Sequence, residues 1–353
     1  LVRWLLHVTR PVLSPLLGST LCRVTDMLSG IALFSLGAYA VASMGLAMTS
    51  GAPLPAVWPV LAVMAGLSIL KAALRYAEQF LGHLVAFKAL ELLRGQIFRS
   101  LIPRSPRVSA TSRSGDLLSR ATKDVDRIEV FFAHTFAPAV SAVITPLVVL
   151  AVIGLKVSWL VAMTALPFVV LQLLIVPRLG FTASLEASRS SSAARADLTQ
   201  HVTDTVQGMS EVVGYGRSRE RLDEMARIDA EITGASRPVG QWASVRRGVN
   251  QMASLTAPIA VVVVGAMLPT TGRGASVPLL AAATAAVLRM SETVRGVEEL
   301  AGALNASFAS AERVWEVVNA PVEVRDGDQE LTGGISHEVL WQDVTYSYPN
   351  TAA

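Results

Sequence analysis

Lys71, Arg75 and Glu78 follow one another at spacings of four and three in a stretch filled out by Leu, Ala, Ile and Tyr. On a helix this spacing puts all three side chains on one face. Two cations and a carboxylate so placed can contact a substrate, or they can pair with each other and send their long stems toward water. Arg289, Glu292 and Arg295 repeat the arrangement at i, i+3 and i+6. They fit the lining of a cavity for an anionic or zwitterionic substrate, and equally an ordinary ladder of helical ion pairs. His134, beside Thr135 in FFAHTFAP, could hold a ligand, a haem or a proton, or be satisfied by a neighbouring helix. Asp116, Asp124 and Asp126 are too scattered for a metal site, and no His, Cys and carboxylate set has ligand spacing. The pattern G-x-x-x-x-G-K-[ST] does not occur, so no loop cradles phosphates and no residue is assigned a catalytic role.

The elements that must hold these residues are those of a membrane protein. Hydrophobic residues make up 52% of the 353 and charged residues 16%, whereas an ordinary soluble domain carries roughly 25% charge. Mean hydropathy is +0.49. A net charge of +3 is too small to argue for nucleic acid as a partner. The single cysteine, Cys22, excludes an internal disulfide and reads as packing in an apolar helix.

Six apolar runs approach or exceed what a helix needs to cross about 30 Å of hydrocarbon. They are Met27 to Met48, Val57 to Leu70, Val130 to Ile153, Val157 to Val176, Val249 to Leu268 and Val277 to Val287. Arg23 and Asp26, three residues apart just before the first run, can pair on one helix face. The second run continues without a breaker through Lys88, Glu91 and Arg94 to Ile102, so it predicts one helix that crosses the membrane and keeps going into water. Gly154, Leu155 and Lys156 make a tight turn between the third and fourth runs, and a polar helical stretch from Arg178 to Glu211 breaks at GYGRSRE before a further helix from Arg221. Pro138, Pro146, Pro167 and Pro258 are expected kink points. Residues 1–12 carry Arg3, His7 and Arg10 on one stripe, the pattern of a helix lying along a membrane surface. Residues 337–348 are the one strand-like stretch. The short loops near 50, 155 and 272 hold only Lys156 and Arg273, so the long polar stretches and both termini are expected in the cytosol.

Two polar helical hairpins of this length, each ending in a sharp break, are built to touch something in the cytosol and to pass its motion to the spans. In organisation the chain resembles an ABC transporter half of the exporter type. GDLLSRATKDVDRIE at 115–129 is similar to the segment after that family's first coupling helix, and GMSEVVGYGRSRERL at 208–222 to its second coupling segment, with Val213, Gly214 and Ser218 departing from the usual basic, Ala and acidic residues. SAERVWEVVNAPVEV at 310–324 and VLWQDVTYSYP at 339–349 resemble the exit from the sixth span and the first strand of the nucleotide-binding domain. A closer resemblance lies in LRYAEQFLGHLVAFKALELLRGQIFRSLIP at 74–103: Arg75, Tyr76, Glu78, His83, Phe87 and Leu90 match the half-transporters of the cytochrome bd assembly system, with Gln79 replacing an Arg. That family exports cysteine and glutathione and has been tied to haem.

The resemblance implies an all-α membrane protein of six transmembrane helices with long cytosolic extensions, plus the first strand of a nucleotide-binding domain cut off at the chain's end. Its parts would be an elbow helix at 1–12, the transmembrane domain at 13–320, a linker at 321–336 and the domain start at 337–353. Coupling contacts would fall at Ser109, Arg113 and Gly115 and at Tyr215, Arg217 and Arg219. Tyr348 would stack on the adenine of ATP, with ATP and Mg bound in the remainder of that domain. A second half-transporter, more readily a different chain than a copy, would be the partner in the bacterial plasma membrane. An importer on the same fold, as in siderophore systems, and a non-transporting membrane scaffold are the rival readings.

Overall fold

The computed structural model describes Trp4, Val8 and residues 10–104, 120–268, 276–295, 297–321 and 340–345, without the side chains of 130, 133, 134, 295 and 297–306. Among these residues the chain is helical, and six helices are long and apolar enough to cross a membrane. We number the α-helices α1 Leu13–Ser50, α2 Val57–Leu101, α3 Val125–Phe131, α4 Ala137–Lys156, α5 Trp159–Val170, α6 Phe181–Gln207, α7 Met209–Gly214, α8 Ser218–Ala266, α9 Val277–Arg295 and α10 Val297–Asn319. The 45 residues of α2 and the 49 of α8 correspond to about 68 and 73 Å of helix, more than twice the hydrocarbon thickness. The unbroken polar continuation expected after Leu70 is therefore present. In α8 the continuity goes further than the sequence reading, since the polar helix and the fifth span are one element beginning at Ser218.

The chain divides into two compact units. Leu1–Met27, Ile69–Ser141 and Glu299–Ala353 form the first, Leu28–Ser68 and Ala142–Glu298 the second. In the first unit Val85, Ala89, Leu93 and Ile97 recur every fourth residue along α2, so the charged half of the helix keeps one apolar stripe. That stripe is buried with Val125, Ile128 and Phe132 and with Ala311 and Val314 of α10, and Trp4 and Val8 pack against the same cluster. Polar ties reinforce it. Arg104 donates to the carbonyls of Val317 and Val318 at the end of α10, where a cation also suits the helix dipole. Asp124 accepts from Nε of Arg313 at 2.9 Å and from Ser310 Oγ at 3.1 Å.

The core of the second unit runs along α5, α8 and α9: Val161, Ala162, Ala165 and Val169 meet Ala257, Val261, Ala283, Val287 and Met290. Small residues at such contacts let backbones approach closely. Gly265 is one of them, for a Cβ there would come 2.2 Å from Leu280 Cδ1.

Several local expectations change. The turn between the third and fourth runs lies at Val157 and Ser158, not at 154–156; α4 runs through Lys156, and Ser158 Oγ accepts from the backbone N–H of Leu160 to open α5. Gly154 serves packing, since a Cβ there would sit 2.6 Å from the Trp159 ring. Pro146, Pro167 and Pro258 lie inside α4, α5 and α8, which continue through them. Among the irregularities are π-helical segments at Arg120–Asp124, Phe132–Phe136 and Leu171–Ile175. The last two end two residues before a proline, Pro138 or Pro177, whose ring cannot tolerate a regular preceding turn. Of the expected strand, 337–339 and 346–348 lie outside the described residues, and Leu340 to Thr345 carries no strand. Apart from Trp4, Val8 and 10–12, the elbow at 1–12 also lies outside them.

Candidate transport site and coupling apex

Lys71, Arg75 and Glu78 stand in the first unit on α2, and the fold brings them to Arg23 and Asp26 of α1. The helices approach closely here: a Cβ on Gly18 would be 3.3 Å from Leu81 Cδ1, and Ser19 Oγ donates to the Glu78 carbonyl at 3.1 Å. Arg23 and Asp26 do not pair with each other as the sequence suggested. Each instead finds a partner across the helix pair. Arg23 Nη1 lies 2.6 Å from Glu78 Oε1, and Lys71 Nζ lies 2.7 Å from Asp26 Oδ1. Arg75 Nη1 reaches the other oxygen, Oε2, of Glu78 at 2.7 Å. Arg23 Nε also donates to Ser141 Oγ at 3.2 Å. The two carboxylates are buried, which is tolerable only because both are paired. The missed partners had a signal in the sequence. In an antiparallel helix pair the earlier charge on one helix faces the later one on the other, and Arg23 and Asp26 oppose Glu78 and Lys71 in that order.

Arg289 and Glu292 belong to the second unit and form the intrahelical pair that their spacing allows. The Arg289 guanidinium also sits 4.8 Å from the centroid of the Phe34 ring, a cation–π contact. In the same unit a groove of about 640 Å³ is lined by Ile31, Ser35, Tyr39, Val149, Lys156 and Ala283 among others. The side chain of His134 is outside the described residues.

The second coupling segment forms the tip of a helical hairpin. Its shaft pairs α6 with α8 through Ala194, Leu198, Ile228 and Ile232, and Arg221 closes it by donating to the His201 carbonyl at 3.0 Å and to Thr205 Oγ1 at 2.7 Å. At the base, Gly180 takes φ +62 and its missing Cβ leaves room for the Trp242 ring. At the tip, α7 is followed by Tyr215 and by Gly216 at φ +67, and the N–H groups of Arg217 and Gly216 bond to the carbonyls of Val212 and Val213, a Schellman cap. This turn presents Tyr215, which is 80% exposed, with Arg217 and Arg219. Arg217 forks onto Glu220, holding that carboxyl below its ordinary range. Arg219 has no partner among the described residues. Ser109, Arg113 and Gly115, where the other coupling contacts were expected, and Tyr348 lie outside the described residues.

Six membrane-length helices with this apex meet a decisive comparison: residues 18–291 match the ABC transporter transmembrane region family. The chain belongs to that family. It is thus a multi-pass membrane protein with the all-α architecture of an ABC exporter transmembrane domain. A probable ABC transporter ATP-binding/permease protein of Haemophilus influenzae is 28% identical over 291 residues, 82% of this chain and 52% of the relative. The glutathione/L-cysteine transport system ATP-binding/permease protein CydC of Escherichia coli is 26% identical over 349 residues, 94% of this chain and 58% of the relative. CydD of the same system in Bacillus subtilis is 23% identical over 301 residues, 83% of this chain and 51% of the relative. The chain spans about half the length of these curated relatives. Their names carry ATP binding, whereas no described residue of this ABC transmembrane region offers a phosphate cradle.

Proposed function

We propose that this chain is the membrane-crossing part of an ATP-driven half-transporter that moves a small thiol compound across the bacterial plasma membrane by alternating access, paired with a different half. The observation that supports it best is α8, a single helix whose polar end forms the exposed apex at Tyr215 to Arg219 and whose apolar end packs among the spans. ATP, bound in a nucleotide-binding domain beyond the transmembrane region, supplies the driving force for closure. The residues of this chain transmit and select. Tyr215, Arg217 and Arg219 receive the motion together with Ser109, Arg113 and Gly115, α2 and α8 carry it as stiff rods, and Lys71, Arg75, Glu78, Arg289 and Glu292 border the cargo's path. Both termini and the hairpin apex face the cytosol in this reading. The names of the glutathione and cysteine relatives support the cargo class and a two-chain assembly.

Uptake of labelled glutathione into inverted vesicles tests the reading. The full-length chain with its partner half should accumulate the label only with ATP; equal accumulation without ATP, or none in either case, would overturn it.

A further inference from the structure

Three cations, Arg23, Lys71 and Arg75, share two buried carboxylates, Asp26 and Glu78, so the cluster keeps one positive charge in excess. An unbalanced charge among membrane helices is costly, and such groups mark substrate or ion pathways. The three cations are not equivalent. Arg23 is held twice, by Glu78 and by Ser141, and its side chain is 21% exposed. Among the described residues Lys71 is the sole partner of Asp26. Arg75 is 51% exposed and has one partner among the described residues, Glu78, which would not be left bare without it because it keeps Arg23 on its other oxygen. Arg75 can therefore leave Glu78 without stranding a buried charge.

Resting on the transport reading above, we infer that Arg75 is the carboxylate-binding residue of the cargo site, exchanging Glu78 for a carboxylate of a small anionic thiol compound, with Lys71 one turn away adding its field. A guanidinium fork suits a carboxylate because two parallel N–H groups meet its two oxygens. The incoming anion also cancels the cluster's excess charge. Glutathione, with two carboxylates and one ammonium, has the required net charge.

The test is glutathione-stimulated ATP hydrolysis by the full-length chain and its partner half in phosphatidylcholine vesicles, with glutathione diethyl ester as the comparison. The wild type should need about ten-fold more ester than acid for half stimulation, the value of one charged hydrogen-bonding contact. In Arg75→Gln the acid should weaken about ten-fold while the ester stays unchanged, bringing the ratio near one. Arg75→Lys should fall between, keeping the charge but not the fork. The ratio does not depend on how much of a variant is folded. Stimulation with the same acid-to-ester ratio in the wild type and in Arg75→Gln overturns this site and leaves the transport reading standing. Discrimination seen only when phosphatidylglycerol is added assigns Arg75 to a lipid phosphate and also overturns it. Wild-type protein that glutathione does not stimulate removes the thiol cargo itself, and this site with it.

Discussion

Arg23 Nη1 stands 2.6 Å from Glu78 Oε1, joining the first two membrane helices through a carboxylate that is almost wholly buried. Removing one partner of a buried pair costs up to about 3–5 kcal/mol, and here the buried Glu78 would keep Arg75 alone, on its other oxygen. Arg23→Ala should therefore lower the thermal midpoint in detergent far more than Lys88→Ala. Lys88 pairs with Glu91 at 2.7 Å on an exposed face of the same helix, and such pairs are worth about 0.2–1 kcal/mol. Equal midpoints for the two variants would remove the Arg23 pair as a stabilising contact.

The Arg313 guanidinium hydrogen-bonded to Asp124 holds that carboxyl below its ordinary range, against the opposing pull of burial. A carboxylate depressed in the folded state contributes stability that is fully present above its unfolded value, about 3.9, and is lost as pH falls through the folded value. The unfolding midpoint of the wild type should drop below about pH 4, and Asp124→Asn should lower the midpoint at neutral pH while flattening that acid limb. An acid limb of the same slope in both proteins would assign it to other carboxylates.

Gly180 and Gly216 both adopt positive φ, but only Gly180 has a neighbour in the way: a Cβ there would lie 1.9 Å from Trp242, whereas Gly216 faces open space. Gly216→Ala should cost the left-handed penalty alone, about 1–2 kcal/mol. Gly180→Ala should cost that and roughly 1–3 kcal/mol more for overpacking. Chemical denaturation of the two variants side by side measures the difference, which belongs to Trp242.

Arg219 is exposed and has no partner among the described residues, so Arg219→Glu should leave the unfolding free energy within about 0.5 kcal/mol of wild type. If the apex receives the motor's motion, the same variant should reduce cargo-stimulated ATP hydrolysis several-fold. Unchanged stimulation would move the coupling contact away from this residue.

The spans were legible because each is a long apolar run, and the polar continuation of α2 because no Pro interrupts it, whereas α8 runs on through Pro238 into the fifth span, further than the pattern of residues indicated. Pairing was harder to read. Arg23 and Asp26 satisfy a helical spacing rule, yet a helix lying beside them offers shorter routes to opposite charge, and tertiary contact prevails over local spacing. The Gly154 and Lys156 turn misled for a related reason: that glycine answers to the Trp159 ring rather than to the backbone. Of the candidate site, Lys71, Arg75 and Glu78 were visible as a face, while Ser19 and Ser141 carry no pattern that a one-dimensional reading detects.

The crossed pairing of Arg23 with Glu78 and Lys71 with Asp26 also bears on biogenesis. Either helix entering the bilayer alone would lack the partner that its buried carboxylate finds across the pair, Lys71 for Asp26 and Arg23 for Glu78, and each ionisable group that reaches the centre costs about 2.5–3.5 kcal/mol. Entering as a pair, both carboxylates have their cross-helix cations from the outset. The first hairpin is thus a single unit of insertion, and a nascent chain halted between Ser50 and Val57 would present the translocon with a helix whose charges await a segment not yet synthesised.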